Sequence, residues 1–341
     1  MKPLPIFFSF DNNYVVQAAV TFESLLTTSK NGNFYNLHVV HEDITPENRA
    51  RLSSLVESHQ NAHLSFIDAT TVFSEIEIGF NDEKFSTGDG KVLFTKETLF
   101  RCLPTLIPEF DSYETILYSD VDICVVDDIS ELFCFDLSGH YLAACRCPKF
   151  LEYQTEHLPE KFAGKYFAGG LWLMNLKQMR QDHLGTKILE IITNPPFRLI
   201  WNDQDIMNLA CDLKVKYFSW RYVSIPNWDK ILRKVDYVDE YHPDGELYEA
   251  MYRPKIVHYA YEKPWKERCA GVDLWYYWLN QTDFHQDFQS LEENSVYSRR
   301  IKIYLFSRIH IPGFLIETKR EGSRVIIRVC KFLLNIRVQL P

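Results

Sequence analysis

Apolar residues recur along the first seventy positions in two distinct periods. Ile6–Phe10 is an almost unbroken apolar run and reads as a buried strand. Asp11, Asn12 and Asn13 stop it and can cap a helix that starts near Tyr14. Val15, Val16, Ala19, Phe22, Leu25 and Leu26 then follow the 3.6-residue period of an amphipathic helix. Asn36–Asp43 predicts a second strand, Pro46–Ser58 a helix with proline at its favoured first position, and His63–Ala69 a third strand. Strand, helix, strand, helix, strand is the pattern of an α/β protein whose parallel strands are joined by crossover helices. In such sheets ligands bind beyond the carboxyl ends of the strands, so residues just after each strand are where chemistry is expected.

Downstream the pattern predicts a helix over Thr95–Pro104 and a strand over Glu114–Asp120. An apolar run follows at Tyr141–Cys147, then a glycine pair inside Tyr166–Leu176, a capped helix from Trp201 to Cys211 and a late strand at Lys255–Tyr261. There is no internal repeat and no low-complexity linker. At 341 residues, 46% hydrophobic, the chain can bury one large core with a small appendage.

Charge divides the chain. Val296–Pro341 carries ten Lys and Arg against two acidic residues, whereas the preceding residues are acidic within an overall net charge of −9. An acidic body argues against general nucleic-acid binding and assigns the tail a separate electrostatic task. Within Ser323–Val338, Arg324, Arg328, Lys331 and Asn335 fall at i, i+4, i+7 and i+11. This spacing predicts a basic-striped helix suited to an anionic membrane surface, and Tyr297–Ile309 has similar character. The eight cysteines form no C-x-x-C pair and most sit in apolar runs, so buried, reduced thiols are expected. The apolar stretch at the N-terminus is too short to span a membrane and no small-residue cleavage site follows it. A cytoplasmic location, extending to the inner face of the membrane, is the expectation.

The sharpest local feature is Tyr118-Ser119-Asp120-Val121-Asp122. In extended backbone Asp120 and Asp122 point to the same side, and two close carboxylates call for a cation between them. A divalent ion such as Mn2+ or Mg2+ suits oxygen ligands and keeps phosphates as further ligands, whereas an acidic turn is the plainer explanation. His258, on a small apolar strand face, is either a core histidine or a third metal ligand. Lys263, fixed by the Pro264-Trp265 dipeptide, is either a surface lysine or a point charge for a diphosphate. Asp11, Asn13 and Tyr14 either cap a helix or hold a nucleobase, and the two roles are compatible. Asn202-Asp203-Gln204-Asp205 either enriches a helix start in acids or recognises sugar hydroxyls.

Taken in order, FSFDNNY, KETLFRCLP, ILYSDVDICV, YFAGGLWLMNL, NDQDIMN and HYAYEKPW resemble glycosyltransferase family 8, which includes bacterial lipopolysaccharide galactosyl- and glucosyltransferases. The resemblance covers about Pro5 to Trp265. It implies a GT-A type fold, a Rossmann-like mixed sheet flanked by helices. With the tail, this gives a catalytic domain over 1–270 and a helical, basic C-terminal extension over 271–341.

The resemblance further implies a retaining transfer of a hexose from a UDP-sugar donor to a glycan or lipid-linked glycan acceptor. Asp120, Asp122 and His258 match the metal ligands. Asp11, Asn13 and Tyr14 match the uridine positions, and Arg101, Val121, Gly169 and Lys263 lie in donor-binding segments. Asp203 and Gln204 match the positions beside the transferred sugar. Two positions depart from the family pattern: Ala168 stands where an asparagine is usual, and Tyr261 where a glycine is usual. The competing functions are a metal-dependent nucleotidyltransferase, which would carry a glycine-rich basic loop after the first strand, and a nucleotide-sugar-binding module without turnover.

Overall fold

A computed structural model describes residues 3–30, 32–73, 97–226, 240–242, 245–267 and 269–287, and the backbone of 316–321, 324–329 and 334–339. The chain divides into two units, Met1–Thr282 and Asp283–Pro341.

The first unit is built on a seven-stranded sheet in the order β3-β2-β1-β4-β7-β6-β8. Its strands are β1 (Leu4–Ser9), β2 (Tyr35–His41), β3 (Ala62–Asp68), β4 (Thr115–Ser119), β6 (Leu142–Ala144), β7 (Leu171–Asn175) and β8 (Val215–Tyr217). A separate two-stranded ribbon pairs β5 (Ile123–Val125) with β9 (Ile256–His258). The first three strands are parallel and joined by the expected crossover helices, α1 (Val15–Thr28) and α2 (Pro46–Ser58). At the start of α2 the Thr45 side chain accepts the Asn48 N–H and Pro46 fills the first turn, where no amide hydrogen is needed. β7 runs antiparallel to both β4 and β6, so the sheet is mixed.

The α-helical part of the expected Thr95–Pro104 helix is Glu97–Phe100. Pro104 and Pro108 each start a tight turn instead, because a proline ring cannot continue the helical ladder before it.

Helix α1 is buried on most of its circumference, including Gln17, Thr21 and Ser24. The polar members of that set have work to do. Thr21 Oγ1 donates to Val121 O at 2.8 Å, and Ser24 Oγ accepts from Val125 N at 2.9 Å. They clamp the segment between β4 and β5 against the helix, and that segment carries the Asp-Val-Asp turn.

The C-terminal expectation is corrected in two ways. The helix Val272–Leu279 packs on α1 and β5, so the first unit extends to Thr282 rather than ending at 270. The described residues of the expected basic-striped helix are strands instead: Ile316–Glu321, Arg324–Val329 and Leu334–Gln339 form β10–β12 of an antiparallel three-stranded sheet. Leu334-Asn335-Ile336-Arg337-Val338-Gln339 alternates strictly between apolar and polar, the period of a strand. Tyr297–Ile309, given the same helical character, lies outside the described residues. No described helix is long and apolar enough to cross a membrane.

Candidate active site

The carboxyl ends of β1 and β4 open onto a cavity of about 610 Å3. Every residue expected at the site lines it except Asn13. Beyond β1, Asp11 caps the turn Asn12–Tyr14, accepting Asn13 N on Oδ1 at 3.0 Å and Asn13 Nδ2 on Oδ2 at 3.0 Å. Asn13 therefore orients Asp11 and is itself exposed. Tyr14 meets Trp265 edge to face at 6.2 Å between centroids, and burial raises its hydroxyl pKa.

Asp120 and Asp122 lie in the bend after β4. Asp120 N donates to Gly170 O at 2.9 Å, continuing the β4–β7 pairing by one residue. The β5–β9 ribbon places Ile123 opposite His258, and Tyr259 N donates to Asp122 O at 2.9 Å. Distant parts of the chain thus meet: His258 Nε2 is 3.2 Å from Asp122 Oδ1 and 3.6 Å from Asp120 Oδ2. One ligand atom from each of the three residues fits within 4.8 Å of the others. Asp122 Oδ1 and His258 Nδ1 are buried and make no hydrogen bond. Two carboxylates packed this closely on an imidazole, with buried polar atoms outside hydrogen-bond geometry, are costly, and a cation among them removes that cost. The three side chains therefore fit a divalent metal ion.

Cationic groups surround the triad. Lys263 Nζ donates to Asp122 Oδ2 at 2.6 Å and to Tyr259 O at 2.6 Å. Burial alone raises the Asp122 pKa, but Lys263 and His258 outweigh it and hold the carboxyl well below the usual range. Burial likewise lowers Lys263, and Asp122 reverses the shift to a net rise. Arg101 Nη1 donates to Asp120 Oδ1 at 2.7 Å, while its Nε lies 3.4 Å from Asp203 Oδ2. The Tyr118 hydroxyl donates to the same Asp120 oxygen. With Oδ1 engaged twice, Asp120 presents Oδ2 to His258. Arg101 is buried, which lowers its pKa, yet Asp120 and Asp203 more than restore it. Asp203 is pushed up to about 6 by burial, with Asp120 adding to the rise and Arg101 opposing it.

The glycine pair sets the other wall. Gly169 N donates to Gln204 Oε1 at 2.6 Å, so the backbone fixes that amide. Gly170 has φ +92°, and a Cβ there would lie 2.5 Å from His258 Cε1. No other residue is compatible with both the left-handed backbone and the imidazole packed against it.

Asp205, expected either as an acid at a helix start or as a contact for sugar hydroxyls, instead holds these groups in place, together with Asn208, which the sequence did not single out. Asp205 is fully buried. It accepts Ile200 N and Trp201 N at 2.9 Å, His157 Nε2 at 2.7 Å and Tyr166 OH at 2.6 Å. Asn208 exchanges two hydrogen bonds with the Phe167 backbone, each 3.0 Å. Together they fix the start of the helix Asn202–Cys211, and with it Asp203 and Gln204. Their only sequence signal is polar residues recurring on a helix otherwise suited to burial. The described cysteines are free thiols; Cys134 is exposed, Cys269 is intermediate and the other five are buried.

A mixed α/β sheet with a carboxylate–carboxylate–imidazole cluster in the cavity beyond its strands fits a GT-A type glycosyltransferase. A sequence profile described as glycosyl transferase family 8 matches residues 5–269, and the chain belongs to that family. It is 27% identical to the probable glycosyl transferase Gly of Streptococcus gordonii over 62% of this chain and 30% of that one. It is 25% identical to the lipopolysaccharide 1,2-glucosyltransferase of Escherichia coli over 58% of this chain and 56% of that one. The chain thus spans less than two thirds of either relative. Among solved structures, galactosyltransferase LgtC in complex with donor and acceptor sugar analogues superposes with a TM-score of 0.62 at 20% identity, over 84% of this chain and 99% of that one. This likeness concerns the fold.

Proposed function

We propose that the enzyme transfers a hexose, glucose or galactose, from a UDP-sugar to a cell-surface glycan such as lipopolysaccharide, with retention of anomeric configuration and with Mn2+ or Mg2+ as cofactor. The observation that carries this reading is the convergence of Asp120, Asp122 and His258 with Lys263 and Arg101 on one cavity. The lipopolysaccharide glucosyltransferase among the relatives supports the acceptor class.

Breaking the anomeric C–O bond places negative charge on the departing diphosphate. Asp120, Asp122 and His258 would hold a divalent ion, which would supply Lewis-acid stabilisation of that charge, worth several kcal/mol. Lys263 adds a second positive charge beside Asp122. Arg101 keeps Asp120 oriented and ties it to Asp203, so the phosphate and sugar ends of the site are mechanically joined. Asp11 and Tyr14 form the nucleobase end. Asp203 and Gln204 stand beside the transferred sugar. Gln204 is held by Gly169 N, and an amide is a poor nucleophile. The acceptor hydroxyl therefore attacks from the face the diphosphate leaves, and its proton passes to a departing phosphate oxygen.

The test is a panel of UDP-sugars incubated with the protein and Mn2+, scored for UDP release without acceptor. One sugar, glucose or galactose, is expected to be hydrolysed, and EDTA to stop it. Release of pyrophosphate would identify a nucleotidyltransferase instead, and absence of hydrolysis across the panel would leave a binding module.

The positive balance of residues 296–341 supports contact of that segment with an anionic membrane surface, where lipid-linked acceptors reside. Replacing Arg324, Arg328 and Arg337 together with glutamate is expected to reduce pelleting with phosphatidylglycerol vesicles. Equal pelleting of the variant would remove this partner.

A further inference from the structure

Of the large apolar side chains that stand exposed among the described residues, Tyr261 is the one that also lines the cavity. Its residue is 48% exposed, yet burial pushes its hydroxyl pKa up to about 12, with Tyr153 and Cys147 adding to the rise. The Gln154 side chain, which also lines the cavity, opposes that rise. Tyr261 therefore presents a half-exposed aromatic side chain at the cavity.

The wall around it differs in character from the rest of the cavity. Cys147 and Gln154 adjoin Tyr261, and neither they nor the other lining residues Leu151, Trp220 and Val223 carry a charge. The charged lining groups, Asp11, Arg101, Asp120, Asp122, Asp203, His258 and Lys263, already have places in the donor end proposed above. A neutral wall with one open aromatic face and one amide suits a neutral pyranose. The axial C–H groups of such a ring meet the electron-rich face of an aromatic, and its hydroxyls need a few placed polar partners. The position is also close to the chemistry along the chain, between the metal-ligand candidate His258 and Lys263.

We propose that Tyr261 is an acceptor-positioning and specificity residue: its ring stacks on the apolar face of a neutral acceptor pyranose, with Gln154 bonded to one of that sugar's hydroxyls. This rests on the glycosyltransferase reading above and adds to it the acceptor's chemistry and the residue that selects it. The tyrosine stands where the family pattern has glycine, so the platform belongs to this chain and not to the family as a whole. Ala168, the other departure, packs against the hydrophobic cluster that contains Cys147, on the same side of the cavity.

The test uses the full-length protein with methyl β-D-galactopyranoside and methyl β-D-glucopyranoside, observed by saturation-transfer-difference NMR. One glycoside is expected to show saturation concentrated on H1, H3 and H5, the protons of a stacked face for galactose and of the matching axial face for glucose. Tyr261→Ala should weaken that signal about tenfold, as loss of a central aromatic contact does, while Tyr261→Phe retains it. In the transfer assay Tyr261→Ala should raise the acceptor KM about tenfold, with Tyr261→Phe near wild type. No binding of either glycoside to the wild type, or binding unchanged in Tyr261→Ala, would overturn the proposal. Because the NMR measurement needs no turnover, it separates the two claims. Tyr261-dependent binding without UDP release supports the platform and removes the donor reading. UDP release with Tyr261-independent binding does the reverse.

Discussion

Asp122→Asn is expected to lower UDP-sugar turnover by about a thousandfold, the scale of losing several kcal/mol of charge stabilisation in the transition state. The substitution keeps the side chain's shape and removes its charge, so the metal-ligand set loses an anion. Stability should fall much less. Lys263 still donates to Tyr259 O at 2.6 Å and can donate to the new amide oxygen, so its charge is not stranded. The measurement is Mn2+-dependent UDP release at saturating donor, alongside a thermal melt followed by circular dichroism. Turnover near the wild-type rate with the fold intact would show that Asp122 is not a ligand.

Gly170→Ala is expected to be the second most damaging change, although it touches no titratable atom directly. At φ +92° an alanine costs about 1–2 kcal/mol in backbone strain alone. Its methyl would also sit 2.5 Å from His258 Cε1, well inside any real carbon–carbon contact, so the imidazole must move. Mn2+ affinity, measured by electron paramagnetic resonance, is predicted to fall at least about tenfold, the range seen when a ligand's support is disturbed. Gly169→Ala is the internal control. Its φ is ordinary, and its Cβ would meet Gln204 Oε1 at 3.2 Å, which a small side-chain shift relieves. It should alter metal affinity little. Equal losses in the two variants would mean that the glycine pair matters through backbone freedom and not through the histidine.

The sequence exposed the first half of the sheet because each element there announces its own ends. Asp11 caps the turn after the first strand, Pro46 starts a helix, and the apolar period changes cleanly between strand and helix. The Asp-x-Asp pair was legible for a similar reason, since two carboxylates two residues apart after an apolar strand have few uses. Asn13 was placed in the site by the same local reasoning, and the structure gives it the supporting task of orienting Asp11.

The basic tail failed for want of length. Over six to twelve residues a helical stripe and a strand alternation can be drawn through the same letters. The β-branched Val325, Ile326, Ile327, Val329, Ile336 and Val338 were the better guide, because such side chains lose freedom in a helix and pack well on a strand. The neutral wall of the cavity was not legible at all. Leu151 and Gln154 sit on a 3-10 stretch, Lys149–Thr155, and nothing in their spacing separates them from an ordinary surface loop. The buried Thr21 and Ser24 were likewise hidden, since only the structure shows which carbonyl and amide they satisfy.

The timing of synthesis gives the small β5–β9 ribbon a further significance. All seven strands of the large sheet have been synthesised once the ribosome has passed Tyr217, whereas His258 and Lys263 follow later. Lys263 reaches back 141 positions to meet Asp122. A chain terminated between these points would carry every strand of the large sheet yet lack the imidazole and the ammonium group that meet Asp122.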